Sequence, residues 1–560
     1  MRYPASIFIL LLSVSFSAGQ NLENLKDQPP VTVSGNVSAS IQGYSTSRER
    51  ASRLPFIWTL SGNPTLSIYG VTLPFSFVIS RKNEDFRQPF NQFGVSPYYK
   101  WLKLHLGYRS LSFSQYSLNG HVFNGIGAEA TPGKWRFGAM YGRLLRPIEP
   151  DSAALVPVRP TYLRRGYSMK VGYGTSSNYV DLVLLKGWDE PGSIRRPTDS
   201  VTINPQQNLV LALKTQQRLF SRLTFNMDVG LSGWTSNLFA EGPPREDIPL
   251  SGIVNDLLNV NYSTQFLTAG RASLAVRVAQ VNLRLQYQRV DPDYQTMGAY
   301  FFNNDLENIT FSPSWSMFKR KVRVNGSVGW QRNNLREDKT NQTNRRINSL
   351  QVSYVPIPRL TASMSFTNFQ INQQRLDVIR RDVIDSLQLE QFSNNLSLNV
   401  NYNFGDKVKR YSLSAGFNRQ SMSQEQNNEA LRDNDSRSLS PTFSFRYNNK
   451  DTKWGYRASF NLNDFENSSV SSVRWGVALN ADKKLADDKL MLNASGSWNQ
   501  TSLDGGSAGT TIRTGLRCSY NAGEKHTLSG SAHFIQRASS NDRIEGFNEF
   551  LGSLSYNYAF

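Results

Sequence analysis

Four histidines are the whole imidazole complement of this 560-residue chain: His105, His121, His526 and His533. His526 and His533 lie seven positions apart, so within one strand they point to opposite faces and cannot share a metal ion. The run Gly505-Gly506-Ser507-Ala508-Gly509 spells G-x-S-x-G. A serine nucleophile of that kind needs a strand–turn–helix setting, whereas these flanks are polar and loop-like. GxxxxGK[ST], HExxH and CxxC are absent. Cys518 is the only thiol, so no internal disulfide forms. The expectation is a protein without catalytic residues, cofactor or metal. A hydrolase would have to assemble its site in space around one of the four histidines.

What the chain does offer is repeated positive charge, with a formal net charge of +19. Lys103, Arg136, Lys170, Lys214, Arg277, Arg284, Arg323, Arg446, Arg457, Arg474, Arg513 and Arg517 each interrupt an apolar series at alternate positions, as Arg136 does between Trp135 and Phe137. If the apolar parity meets lipid, these twelve line an interior. Only Glu129, Asp181, Asp228 and Glu549 oppose them there. An enclosed path of that sign favours anions. The bland alternative is that the cations pair with carboxylates of loops or a plug, or reach phosphates at the rim.

The elements that would carry these residues are strands. Leu396, Leu398, Val400, Tyr402 and Phe404 alternate with Ser397, Asn399, Asn401 and Asn403. Trp454, Tyr456, Ala458, Phe460 and Leu462 repeat the pattern, as do Val473, Trp475, Val477 and Leu479. Period-2 alternation marks strands with one apolar and one polar face. Short links such as Gly405–Lys409 and Asn521–Lys525 alternate with longer polar ones such as Arg419–Ser438 and Gln536–Asn548. Aromatic residues recur at strand ends, among them Tyr98, Tyr99, Trp101, Trp188, Trp234, Trp330, Trp454 and Tyr520, as rings at headgroup depth would. Ile7–Phe16 reads as the apolar core of a signal peptide. The expected organisation is a signal peptide at 1–19, a short periplasmic segment at 20–30 and a barrel over 31–560.

The reading is therefore all-β: a transmembrane antiparallel up-and-down β-barrel of about 26 strands, roughly 22–28, with short periplasmic turns and longer extracellular loops. Phe550, Leu554, Tyr556, Tyr558 and Phe560 form a last alternating strand that resembles the terminal assembly signal of Gram-negative outer-membrane proteins. Two inner stretches, starting PFNQFGVSPYYKW and YQRVDPDYQTMG, are similar to segments of outer-membrane barrels of Bacteroidetes-type bacteria. The resemblance implies an outer-membrane location with both termini periplasmic, and partners in outer-membrane lipid, lipopolysaccharide and the barrel-assembly machinery. It carries no activity with it. Nucleic acid is not an expected partner.

A barrel this wide is usually plugged. No α/β plug domain like that of TonB-dependent receptors precedes Val31, so filling would come from inward loops or a partner envelope protein. The candidate loops are Lys82–Pro97, Arg146–Arg164, Asp189–Pro205, Ser236–Leu257 and Asp291–Asp305. The leading function is passive or gated passage of polar solutes, anions favoured. The alternative is a structural or assembly subunit that docks partner proteins in secretion, surface display or envelope biogenesis. The hydrolase ranks third.

Overall fold

The computed structural model of the chain describes residues 31–48, 53–68, 71–80, 94–149, 160–195, 203–244, 248–249, 251–301, 303–377, 382–426, 429–431, 434–540 and 545–560. The expected signal peptide and the 20–30 segment lie outside them.

Strand follows strand, each antiparallel to its neighbour in sequence, until Phe547–Ala559 pairs back onto the first strand. That seam runs from Asn36 opposite Ala559 to Thr46 opposite Glu549. Reciprocal bonds of 3.0 Å between Gly35 and Phe560 extend it to the rim. The strands at 31–46, 56–68 and 94–99 are each broken once by a local irregularity, and Glu429–Ala430 merely extends a neighbouring hairpin. Gly35 occupies the first break at φ 121°, where a Cβ would also press to 2.4 Å on the Asn63 carbonyl. Counted this way, the sheet is a closed antiparallel barrel of 26 strands. Closure leaves no unpaired edge and satisfies the backbone without water.

Contacts across the bore identify the concave face. Ser114 follows the Leu102–Ser112 strand, yet its hydroxyl donates to Asp228, several strands further round on Leu223–Thr235. Such a chord passes only through the interior. Asp228, Gly230 and Ser232 therefore face inward, and Met227, Val229 and Leu231 outward. The pairing register carries this assignment round the barrel. Phe443, Phe445 and Tyr447 lie opposite Phe460, Ala458 and Tyr456, then Val477, Leu479 and Ala481, all on the outer face. Many outer side chains are exposed, Leu479 and Leu516 at 64% each. The eight residue steps from Leu439 to Tyr447 rise about 20 Å at the usual tilt, so that with their flanking rings they match the roughly 25 Å apolar band of a membrane barrel.

Both rims follow the expected asymmetry. Lower-rim links are tight, such as 279–280, 358–359 and 406–408, whereas upper links reach the length of 236–263. Several segments read as long loops are nonetheless strand. Lys409–Gln426 and Leu490–Leu503 continue well past the apolar belt, and Leu503 turns directly into Gly506. Above the belt both faces are wet, so apolar alternation stops although the ladder continues. On the outer wall the change is abrupt: the row Leu350, Phe366, Leu396 gives way to Asn348, Asn368 and Asn394. Their amides bond in series at 3.1 and 2.7 Å.

Candidate functional site: the barrel interior

The interior has two unlike walls. Over the strands between Leu102 and Met317 it is packed; over those from Val322 onward the inner side chains are mostly half-buried or exposed. Two inward-folding loops make the difference, 113–118 and 291–305. Phe113, Leu118 and Met297 form one cluster with Met140, Val183, Leu185, Val210 and Trp234. Tyr116 and Tyr294 form a second with Leu267, Ala269, Val290 and Leu306.

Inner glycines make the seats. A Cβ on Gly138 would meet the Phe113 ring at 2.7 Å, and one on Gly187 the Met297 sulfur at 2.7 Å. One on Gly230 would lie 2.9 Å from both Tyr116 and Tyr294. Polar bonds tie the loops to each other. Thr296 donates to the Ser117 carbonyl at 2.9 Å, Tyr294 to the Tyr116 carbonyl at 2.5 Å, and the Asn119 N–H to Gly298 at 2.9 Å. Burial pushes the Tyr294 hydroxyl far above its ordinary pKa, so it stays a donor. Asn208 anchors the second loop by accepting the Met297 N–H at 3.1 Å.

Of the five loops expected to fold inward, Asp291–Asp305 does. Ser236–Leu257 does the opposite. Val254 and Leu258 pack against Leu209 on the outer wall, with Leu184 and Phe266 beside them. The Lys186 ammonium, also on the outer parity, donates to the Leu257 carbonyl at the end of helix Ser251–Leu257. The central parts of the other three, within 81–93, 150–159 and 196–202, lie outside the described residues. Trp234, expected at headgroup depth, is instead buried in the interior. It pairs with Asn208 and Gln265 at the level of the packed loops, where protein rather than lipid surrounds it.

Three of the four expected acidic residues, Glu129, Asp181 and Asp228, lie on the packed side. Arg136 makes a bidentate pair with Asp181 at 2.7 and 3.0 Å and lies over the Tyr179 ring at 4.2 Å. Lys103 is opposite Glu129, and Lys214 opposite both Asp181 and Asp228. Lys170 sits 4.8 Å above the Phe113 ring. Asp228 also accepts the Gln115 N–H at 2.9 Å. On this wall Arg136 is ion-paired, and Lys170 and Lys214 touch the plug, the first through the Phe113 ring and the second through the Phe113 carbonyl at 3.4 Å. Replacing Asp228 with alanine removes two charge-assisted hydrogen bonds, worth about 1.5–3 kcal/mol each. A cysteine at Ser117 is then expected to react with a membrane-impermeant thiol reagent at least about tenfold faster than in the Asp228 background.

The opposite wall is different. Arg323, Arg446, Arg457, Arg474, Arg513 and Arg517 alternate with outer apolar residues, and none makes an ion pair among the described residues; Arg277 and Arg284, on strands of the packed wall, make none there either. Arg446 and Arg457 are direct cross-strand neighbours. Asp482 faces inward near the lower rim, against Gly455; Glu549 is held by Arg48 at 3.2 Å and the Tyr44 hydroxyl at 3.0 Å.

The histidines are dispersed. His105 accepts or donates between Ser96 at 3.0 Å and Glu129 at 3.2 Å. The order matches nucleophile, base and orienting carboxylate, but serine and imidazole are buried and the Ser96 N–H is spent on Pro74. The trio fastens the irregular 94–99 strand to the wall. His121 stacks on Tyr300 at 4.1 Å. His526 faces outward, bonded to Tyr556 at 2.7 Å and packed on Tyr558, while His533 faces the interior. The G-x-S-x-G serine, Ser507, lies in a hairpin and bonds Gln500 at 3.0 Å. No group of three metal-ligating side chains occurs among the described residues. Phe550, Leu554, Tyr556 and Tyr558 line the outer face of the seam, and Tyr558 stacks on Phe560 at 5.4 Å.

No family model and no curated protein matches the chain. Among solved structures, OprD of Pseudomonas aeruginosa is 11% identical, with 64% of this chain and 91% of that chain covered and a TM-score of 0.30. OccAB2 of Acinetobacter baumannii is 10% identical, covering 64% and 92%, at 0.29. OpdK of Pseudomonas aeruginosa, solved with vanillate, is 12% identical, covering 68% and 98%, at 0.29. Alignments this loose transfer no pore dimension, solute or residue role.

Proposed function

We propose that the chain is an outer-membrane barrel through which polar solutes pass down their gradient, anions in preference to cations. One observation carries this reading: an apolar outer belt encloses a polar inner wall whose arginines form no ion pair among the described residues, beside a second wall that is plugged. A circular barrel of 26 strands is about 50 Å across between backbones, from strand spacing and tilt. Loops as short as 113–118 and 291–305 occupy only a crescent of such a bore. The path therefore runs off-centre, along the arginine side.

The test is a planar bilayer containing the purified protein. Stable channels with a reversal potential of the anion-selective sign are expected across a KCl gradient. Silence, or cation selectivity, ends the reading. The loop 291–305 is the candidate gate. At its end, burial raises the Asp305 carboxyl, but the Lys339 ammonium at 2.5 Å and the Leu335 N–H outweigh it and leave it below its ordinary pKa. A depressed carboxyl stabilises the folded loop above its unfolded pKa and loses that contribution as pH falls through the folded value. Acidification below the usual carboxylate range is expected to increase channel flicker, and Asp305→Asn to produce it at neutral pH.

The docking role is the second reading. The strands between Asn341 and Gln426 rise above the belt with a polar outer face and favour it. Envelope proteins co-purifying in mild detergent, with no channel activity, would support it.

A further inference from the structure

The arginine wall is not uniform. Three inner arginines gather on three strands of its last quarter: Arg474 on Ser471–Leu485, Arg513 on Gly506–Ala522 and Arg537 on His526–Ser539. The register sets Arg474 beside Thr501, Arg513 beside Ser497 and Arg537 beside Thr511. Arg474 feels the like charge of both Arg513 and Arg537, and the register sets Arg513 and Arg537 on adjacent strands two residues apart. Clustering like charges without compensation is unfavourable. Here it is also incomplete, because the Nε of Arg474 is buried and makes no hydrogen bond.

Directly beside the cluster lies a cavity of about 490 Å³, lined by Arg513, Arg53, His533, Asn480, Ser495 and Ser497. Glu549, also at its edge, is already bound by Arg48 and Tyr44. Among the described residues no carboxylate forms an ion pair with any of the three arginines. The cavity volume falls in the ordinary range for a small-molecule site. Guanidinium groups approaching from three strands suit an oxyanion that accepts along several directions, whereas a lone carboxylate is satisfied by one bidentate fork.

We infer that Arg474, Arg513 and Arg537 form a binding step for the phosphoryl group of a small organophosphate, whose remaining atoms occupy the adjoining cavity. The inference rests on the passage reading for its physiological sense, but binding itself is measurable without conduction. Calorimetry on the purified protein in nanodiscs, titrated with glycerol phosphate and with glycerol, gives saturable binding of the first only. Arg474→Gln, Arg513→Gln and Arg537→Gln each weaken it by about tenfold. Lys319→Gln, in a lower-rim turn, leaves it unchanged. In bilayers, glycerol phosphate blocks chloride current in the native protein, and the same variants relieve the block. Equal heats for both titrants, or binding indifferent to all three substitutions, overturns the site. Saturable phosphate binding by a protein that never conducts keeps the site and removes the passage reading. Conduction without phosphate binding does the reverse.

Discussion

Leu516→Arg is expected to cost about 2–4 kcal/mol of stability in lipid vesicles, the range for a cation at the bilayer midplane on the outer face of a barrel. Leu516 is 64% exposed and lies at mid-height of the belt, between Ala494 and Ala532. In a water-soluble barrel such an exposed leucine would be nearly free to change. Ser531→Arg, one strand away on the inner parity, is the comparison. Its side chain reaches the wet interior, so its cost stays well below that of Leu516→Arg. Chemical denaturation of both variants, folded in the same vesicles, gives the difference directly. A larger cost at Ser531 than at Leu516 would reverse the assignment of the two faces and take the membrane reading with it.

The second large effect concerns sign rather than stability. Arg446→Glu, Arg457→Glu and Arg517→Glu together turn three cations of the open wall into three anions. Selectivity in a confined path follows the charge that lines it. The reversal potential of the triple variant is therefore expected to change sign. The effect should shrink at high salt, where the screening length falls to a few ångströms. Arg136→Gln gives the contrast, because its charge is already taken by Asp181 and its removal leaves selectivity nearly untouched. A triple variant that keeps its anion preference would move the conducting path away from this wall.

Most of the barrel was legible because lipid imposes a strict alternation. Wherever the outer face meets hydrocarbon, as from Trp454 to Leu462, the strand and its orientation follow from the residues. The same rule puts the twelve cations on the parity opposite to the apolar one. Three features escaped it. Trp234 reads as a headgroup ring from its strand-end position alone, which does not say which face it is on. The hairpin loop at 113–118 is not among the loops expected to fold inward, because its six residues carry no length signal. The upper parts of the strands between Asn341 and Gln426 lost their alternation and passed for loops. A signal for the plug was nevertheless present. Val180 to Leu185 is apolar at nearly every position, and so is Leu209 to Leu213. A strand apolar on both faces has protein on both sides. Glycines at 138, 187 and 230 on the inner parity added the space into which that protein fits.

The seam joins residues separated by almost the whole chain, Ser38 to Asn557 for example, whereas the strands that carry the plug adjoin one another in sequence. Loop-closure entropy favours the near contacts first. The crescent of strands from Leu102 to Met317 can thus gather its two loops while the sheet is still an open trough, before the terminal hairpin zips shut. Biogenesis then delivers a vessel already stoppered on one side, and no later step has to push a folded segment through a closed hoop.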